Sequence, residues 1–150
     1  MLSNSNPWQQ ELSMSLGGDF YALSDQQLED LLDGALGLAF LYNELEEQPR
    51  ECYAGAEQAW YELTQILGAI MSDYSEHTDA IPEMSQYTWA DDVPKLAEQL
   101  ACVDEAHIES SYKGDEMETD LATLKVYIQE VVSLYQRAAK NGDAVLFRVT

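Results

Sequence analysis

Basic residues are what this 150-residue chain has least of: Lys and Arg together number 7, against 28 Asp and Glu. The shortage is uneven. Residues 1–94 hold 18 acidic side chains and one cation, Arg50, for a net −17; residues 95–150 hold 10 acids and 6 cations, for −4. A polyanion of this size repels nucleic acid and anionic membranes and attracts basic protein surfaces. The expected partner is therefore a basic protein, with no direct nucleic-acid binding and no membrane association.

Cysteine is scarce as well. Cys52 and Cys102 are the only two, and with nothing else suggesting a disulfide framework they read as reduced thiols. Long apolar runs are missing: the longest, Ala35–Tyr42, falls far short of the roughly 20 residues a bilayer demands. Met1–Ser13 is polar, contains Pro7, and lacks the basic, apolar and small-residue succession of a secretion signal. A cytoplasmic placement is the expectation.

Histidine is limited to His77 and His107, and neither falls in an H-x-x-x-H or Cys/His ligand spacing. There is no G-x-S-x-G, no P-loop and no G-x-G-x-x-G, and Asp115–Asp120 lacks the spacing and glycine of a calcium loop. Carboxylate pairs such as Asp91-Asp92 are too common in this chain to specify acid/base chemistry. The expectation is a non-enzyme with no cofactor and no metal.

What the chain does have is core material. Hydrophobic residues make up 46%, too many for a disordered acidic chain and enough for one folded domain. Residues 1–13 read as an extension without periodicity. Ser15–Leu23 reads as an extended opening around Gly17-Gly18, and Ser24-x-x-Gln27 is a capping box ahead of Leu28, Leu31 and Leu32, ending near Gly34. Leu36, Phe40 and Leu41 suggest a short second helix, and Glu44–Glu51 a loop broken by Pro49.

The spacing of Ala59, Trp60, Leu63, Ile66, Leu67 and Ile70 predicts a helix over 56–72, followed by a long polar loop over 73–86. Further helices are predicted over 90–103, with Pro94 in the first turn, over 104–112, and over 120–140, with Asn141-Gly142 as the final cap. Ala144–Val149 is β-like. A strand at each end with helices between predicts an α+β, mainly α, single compact domain with several amphipathic helices. The N- and C-terminal strands would pair in a small sheet.

Acid interleaved with aromatics is the remaining signal. Tyr42, Glu44, Glu46, Glu47, Glu51 and Tyr53 form one cluster; Asp73, Tyr74, Glu76, Asp79 and Glu83, followed by Tyr87 and Trp89, form another. Tyrosine supplies rigid contact area with a polar tip, and carboxylates pair with Arg and Lys across an interface. Together these segments read as a partner-facing surface.

Several stretches together resemble the YfbM-like family, small bacterial proteins without an assigned function. They are MSLGGDFYALSDQQLEDLL (Met14–Leu32), AEQAWYELTQILG (Ala56–Gly68), QYTWADDVPKLAEQL (Gln86–Leu100) and YIQEVVSLYQRAAKNGDAVLFRVT (Tyr127–Thr150). The resemblance covers residues 14–150, implies an α+β domain, and supplies no reaction. Gln58 and Thr64 stand where relatives often carry Lys and His.

Charge, clusters and missing motifs together favour an acidic binding protein, most concretely an immunity protein. Such a protein neutralises a cognate toxin 1:1 by plugging a basic, phosphate- or nucleotide-binding cleft. The alternative is a stand-alone protein that binds a small ligand or is a weak hydrolase, with Trp60, Tyr61, Trp89 and His107 as pocket candidates.

Overall fold

The computed structural model describes residues 17–47, 52–78, 84–112 and 119–149. Strand β1 (Gly18–Leu23) leads through the capping box into helix α1 (Asp25–Asp33). Ser24 Oγ accepts from Gln27 N at 3.1 Å and Gln27 Oε1 accepts from Ser24 N at 3.0 Å, so both backbone N–H groups are satisfied. Gly34, at φ 80°, closes the helix in the left-handed conformation.

A π-helical turn, Leu41–Leu45, precedes strand β2 (Tyr53–Glu57) and helix α2 (Trp60–Ser72). Strands β3 (Glu76–Thr78) and β4 (Met84–Thr88) follow, then helices α3 (Val93–Ala101) and α4 (Glu105–Ser111). The long helix α5 (Leu121–Asn141) and strand β5 (Ala144–Val149) complete the fold. Asp120 caps α5 through Thr123 N at 2.9 Å, and Gly142, at φ 73°, ends it.

All five strands join one antiparallel sheet in the order β2-β1-β5-β4-β3. The fold is α+β, and the expected pairing of the first and last strands is present: β1 and β5 run antiparallel along their whole length. The sheet is larger than expected, however. The residues read as the start of a helix at 56 form β2, so α2 begins only at Trp60; part of the polar loop read over 73–86 is a β3–β4 hairpin. In both places pairing with a neighbouring strand outweighs a weak local preference.

Each face of the sheet has its own core. On the first face Phe20, Ala54, Ala56, Val145 and Phe147 meet the apolar sides of α2, α3 and α5, where Leu63, Leu67, Leu96, Leu100, Leu124, Ile128 and Val131 are buried. Phe20 stacks on Phe147 with ring centroids 4.4 Å apart. On the second face Tyr21, Leu23, Ala144 and Leu146 meet Leu28 and Leu31 of α1 and Leu41 and Leu45 of the π-helical turn. Covered on both sides, all six residues of β5 are buried, as its nearly continuous apolar sequence requires. Arg148 is the exception to that apolarity.

Gly18 is the tightest point. A Cβ there would lie 2.2 Å from Trp60 Cβ and 3.1 Å from Phe147, so only glycine lets the first turn of α2 rest against β1.

Candidate functional site

The register of the sheet lines up two rows of side chains on the second face. One row crosses all five strands as Tyr53, Tyr21, Leu146, Tyr87 and Glu76. The next runs Gly55, Asp19, Arg148, Ser85 and Thr78. The first row is aromatic and ends on an exposed acid; the second is polar and has a buried guanidinium at its centre.

The π-helical turn lies over both rows. Its defining bond, from Glu46 N to Leu41 O at 3.0 Å, widens the turn while keeping Leu41 and Leu45 in the core. Tyr42 and Glu46 then reach down side by side. The Arg148 guanidinium donates to Tyr42 Oη and lies 5.8 Å from the centre of that ring. Tyr21 Oη donates to Glu46 Oε2 at 2.7 Å. Tyr53 Oη donates to Asp19 Oδ1 at 2.5 Å, and Gly55 leaves room for it: a Cβ on that residue would stand 2.6 Å from the same hydroxyl.

Burial dominates the electrostatics. It raises the Asp19 carboxyl above its usual range, although the Tyr53 hydroxyl and the Arg148 charge both pull it down. The Tyr21 and Tyr53 hydroxyls are pushed well above an ordinary phenol, first by burial and then by donating to Glu46 and Asp19 respectively. Ser85 Oγ is buried without a hydrogen-bond partner beside Arg148. At the far edge Trp89 Nε1 donates to Glu76 Oε2 at 3.1 Å, and Tyr87 packs edge-on to Trp89 with centroids 5.2 Å apart.

Of the residues expected to face a partner, the eight that are described divide into three groups. Tyr42, which is 44% exposed, together with Glu44, Glu47, Asp73 and Glu76, is open to solvent. Glu46 and Tyr53 are half-buried and tied to Tyr21 and Asp19, so they shape the surface more than they extend from it. Tyr74 is partly buried against the first-face core. Glu51, Asp79 and Glu83 lie outside the described residues. Tyr42, Glu46, Tyr53 and Glu76 are brought onto one sheet face from three parts of the chain, whereas Tyr74 turns away.

The aromatics proposed for a small-molecule pocket do not converge. Trp60 leans on the first-face core, Trp89 on the second, and Tyr61 and His107 are exposed. Among the described residues no three His, Cys, Asp or Glu side chains come together as a metal-binding group.

Sequence reasoning missed Asp19, Arg148 and Ser85. A signal was available: a lone arginine inside AVLFRV is a charge in a strand that is otherwise fully apolar.

Residues 14–148 match the family described as a domain of unknown function, DUF1877. The chain belongs to that family. Among solved structures it is similar to YfbM from Escherichia coli, itself described as a protein of unknown function. The two share 12% identity and a TM-score of 0.61, over 89% of this chain and 99% of that one. At that identity the likeness concerns the fold. No curated protein matches. Among the described residues no helix is long and apolar enough to cross a membrane.

Proposed function

We propose that this DUF1877 protein is an acidic binding protein that acts by occlusion and not by catalysis. Its second sheet face would plug a basic, phosphate- or nucleotide-binding cleft of a partner, in the manner of an immunity protein with its cognate toxin domain, 1:1. One observation carries the reading: exposed Tyr42, Glu44, Glu47 and Glu76 flank a packed aromatic row, in a part of the chain whose one cation before Lys95 is Arg50. A cleft that grips phosphate needs Arg and Lys, and carboxylates held on a rigid sheet can satisfy those cations in place of the substrate. The net −17 over residues 1–94 would also steer the approach. The bonds from Tyr21 to Glu46 and from Arg148 to Tyr42 support the reading by fixing the turn that presents Tyr42 and Glu44. The partner surface would further include Glu51, Asp73, Asp79 and Glu83, while Tyr74, packed against the first-face core, lies outside it.

The test compares the natural chain with a variant carrying Glu44→Gln, Glu47→Gln, Asp73→Asn and Glu76→Gln, each immobilised and exposed to extract from the source cells. The natural chain should retain a basic protein in 1:1 ratio. Its association rate should fall at least about tenfold between ~50 mM and ~500 mM salt, as steered encounters do. The variant should lose most of that binding. A partner held equally well by both chains at both salts would end the proposal.

A further inference from the structure

A cleft of about 660 Å³ lies at one edge of the sheet, between strand β2 and helix α5. Its walls are the β2 run Tyr53–Gly55 and, on α5, Gln129, Glu130, Ser133 and Arg137. Three features make it a site of defined chemistry. Arg137 places a cation in the wall of a strongly acidic protein, and its Nε is buried without a hydrogen-bond partner. Glu130 supplies an exposed carboxylate in the same wall. Among the described residues β2 is an edge strand, and one side of its backbone pairs with none of the other strands.

Spacing joins these features into a single ligand. Glu130 and Arg137 are seven residues apart, two turns along one face of the helix, which separates them by about 10 Å at 1.5 Å per residue. Three residues of extended peptide span about 10 Å. We infer that this cleft binds a short extended peptide of about three residues with both ends free. Its terminal carboxylate sits on the Arg137 guanidinium and its ammonium on Glu130, while its backbone runs beside Tyr53–Gly55. Ser133, between the two charged anchors, and Gln129, next to Glu130, hydrogen-bond its peptide groups.

The charges also choose among ligands. A dianionic phosphate would meet Glu130 and the field of a −21 chain, whereas a zwitterion satisfies both walls without adding net charge. Adding a strand to an open sheet edge draws affinity from main-chain bonds and so tolerates varied side chains. The inference shares only the β2 residues Tyr53 and Gly55 with the acidic face; its charged anchors lie on α5 and its ligand is of a different kind, so either reading can fail without the other.

The probe is tri-L-alanine, titrated into the isotopically labelled full chain and followed by amide chemical shifts. Saturable shifts at Tyr53, Ala54, Gly55 and Ser133 are expected. Blocking the C-terminus as the amide, or the N-terminus by acetylation, should weaken binding at least tenfold each, and free L-alanine, too short to reach both anchors, should bind at least tenfold more weakly. In Arg137→Gln the free acid and the amide should become equivalent; in Glu130→Gln the free and acetylated peptides should. Both positions are on the helix surface or partly exposed, and the unblocked and blocked peptides already separate the outcomes on the natural chain. No saturable shift with tri-L-alanine, or equal binding of the doubly blocked peptide, overturns the inference.

Discussion

Asp19 and Arg148 face each other on neighbouring strands, a half-buried carboxyl that accepts from Tyr53 beside a guanidinium, only 4% exposed, that donates to Tyr42. Burial alone would make either charge costly, and each reduces the cost of the other. Arg148→Met should therefore destabilise the fold by about 2 to 3 kcal/mol at neutral pH, because it leaves the Asp19 charge desolvated without its cation. In that variant the Asp19 carboxyl rises further, so its folded-state value stands farther above the unfolded one. Stability then falls as pH rises through that window, and the deficit against the natural chain should shrink in mild acid. Urea unfolding at about pH 4.5 and pH 7.5 measures the difference; an equal deficit at both would separate the two residues.

Gly18→Ala tests the contact between β1 and α2. Its new methyl would lie 2.2 Å from Trp60 Cβ, which belongs to a helix backbone anchored by Leu63 and Leu67 and cannot swing aside like a side-chain tip. Overpacking of this kind should cost about 2 to 3 kcal/mol, or roughly 5–10 °C in Tm for a chain of this size. Gly37→Ala is the control, since nothing lies within 4 Å of a Cβ there and its φ is ordinary. Its Tm should stay within about 1 °C.

Alkali should unfold the protein earlier than its acidic surface alone would suggest. Donation to Glu57 raises the Tyr127 hydroxyl to about 12, and burial raises Tyr21, Tyr53 and Tyr135 further. In the unfolded chain these phenols lose their protons near 10. Between the two values the folded state holds more protons, so stability is intact below about pH 10 and falls as pH climbs beyond it. Absorbance of phenolate should show several tyrosines titrating only together with loss of the helical signal. Smooth titration of all nine near pH 10 in folded protein would contradict this.

Where local chemistry was self-sufficient, the structure was readable in advance. The Ser24/Gln27 capping box, Pro94 in the first turn of α3 and Asn141-Gly142 at the end of α5 each act within a few residues, and those helices lie where the spacing placed them. Strand β2 was not readable. YAGAE contains no β-branched residue, and it is a strand because β1 offers a partner and Gly55 makes space for the Tyr53 hydroxyl. The β3–β4 hairpin was hidden because its short polar strands, EHT and MSQYT, are set by pairing with each other and with β5. The polar row stayed invisible because it exists only across strands: Asp19, Ser85 and Arg148 are far apart in sequence, and only the register assembles them.

The acidic face should carry a cost of its own in the absence of a partner. Glu44, Glu47, Asp73 and Glu76 are exposed and lie in the segment of highest negative charge, so each adds to a repulsion that salt can screen. Tm should climb by about 3 to 6 °C between ~20 mM and ~300 mM NaCl. The variant neutralised at these four positions should start at a higher Tm in low salt and gain less from added salt. Residues retained for stability would behave in the opposite way, with neutralisation lowering Tm at every salt concentration. Scanning calorimetry on both chains across the salt series distinguishes the two patterns. A stabilised variant that has also lost its partner would show that these carboxylates oppose folding and favour binding, as the proposed occlusion of a basic cleft requires.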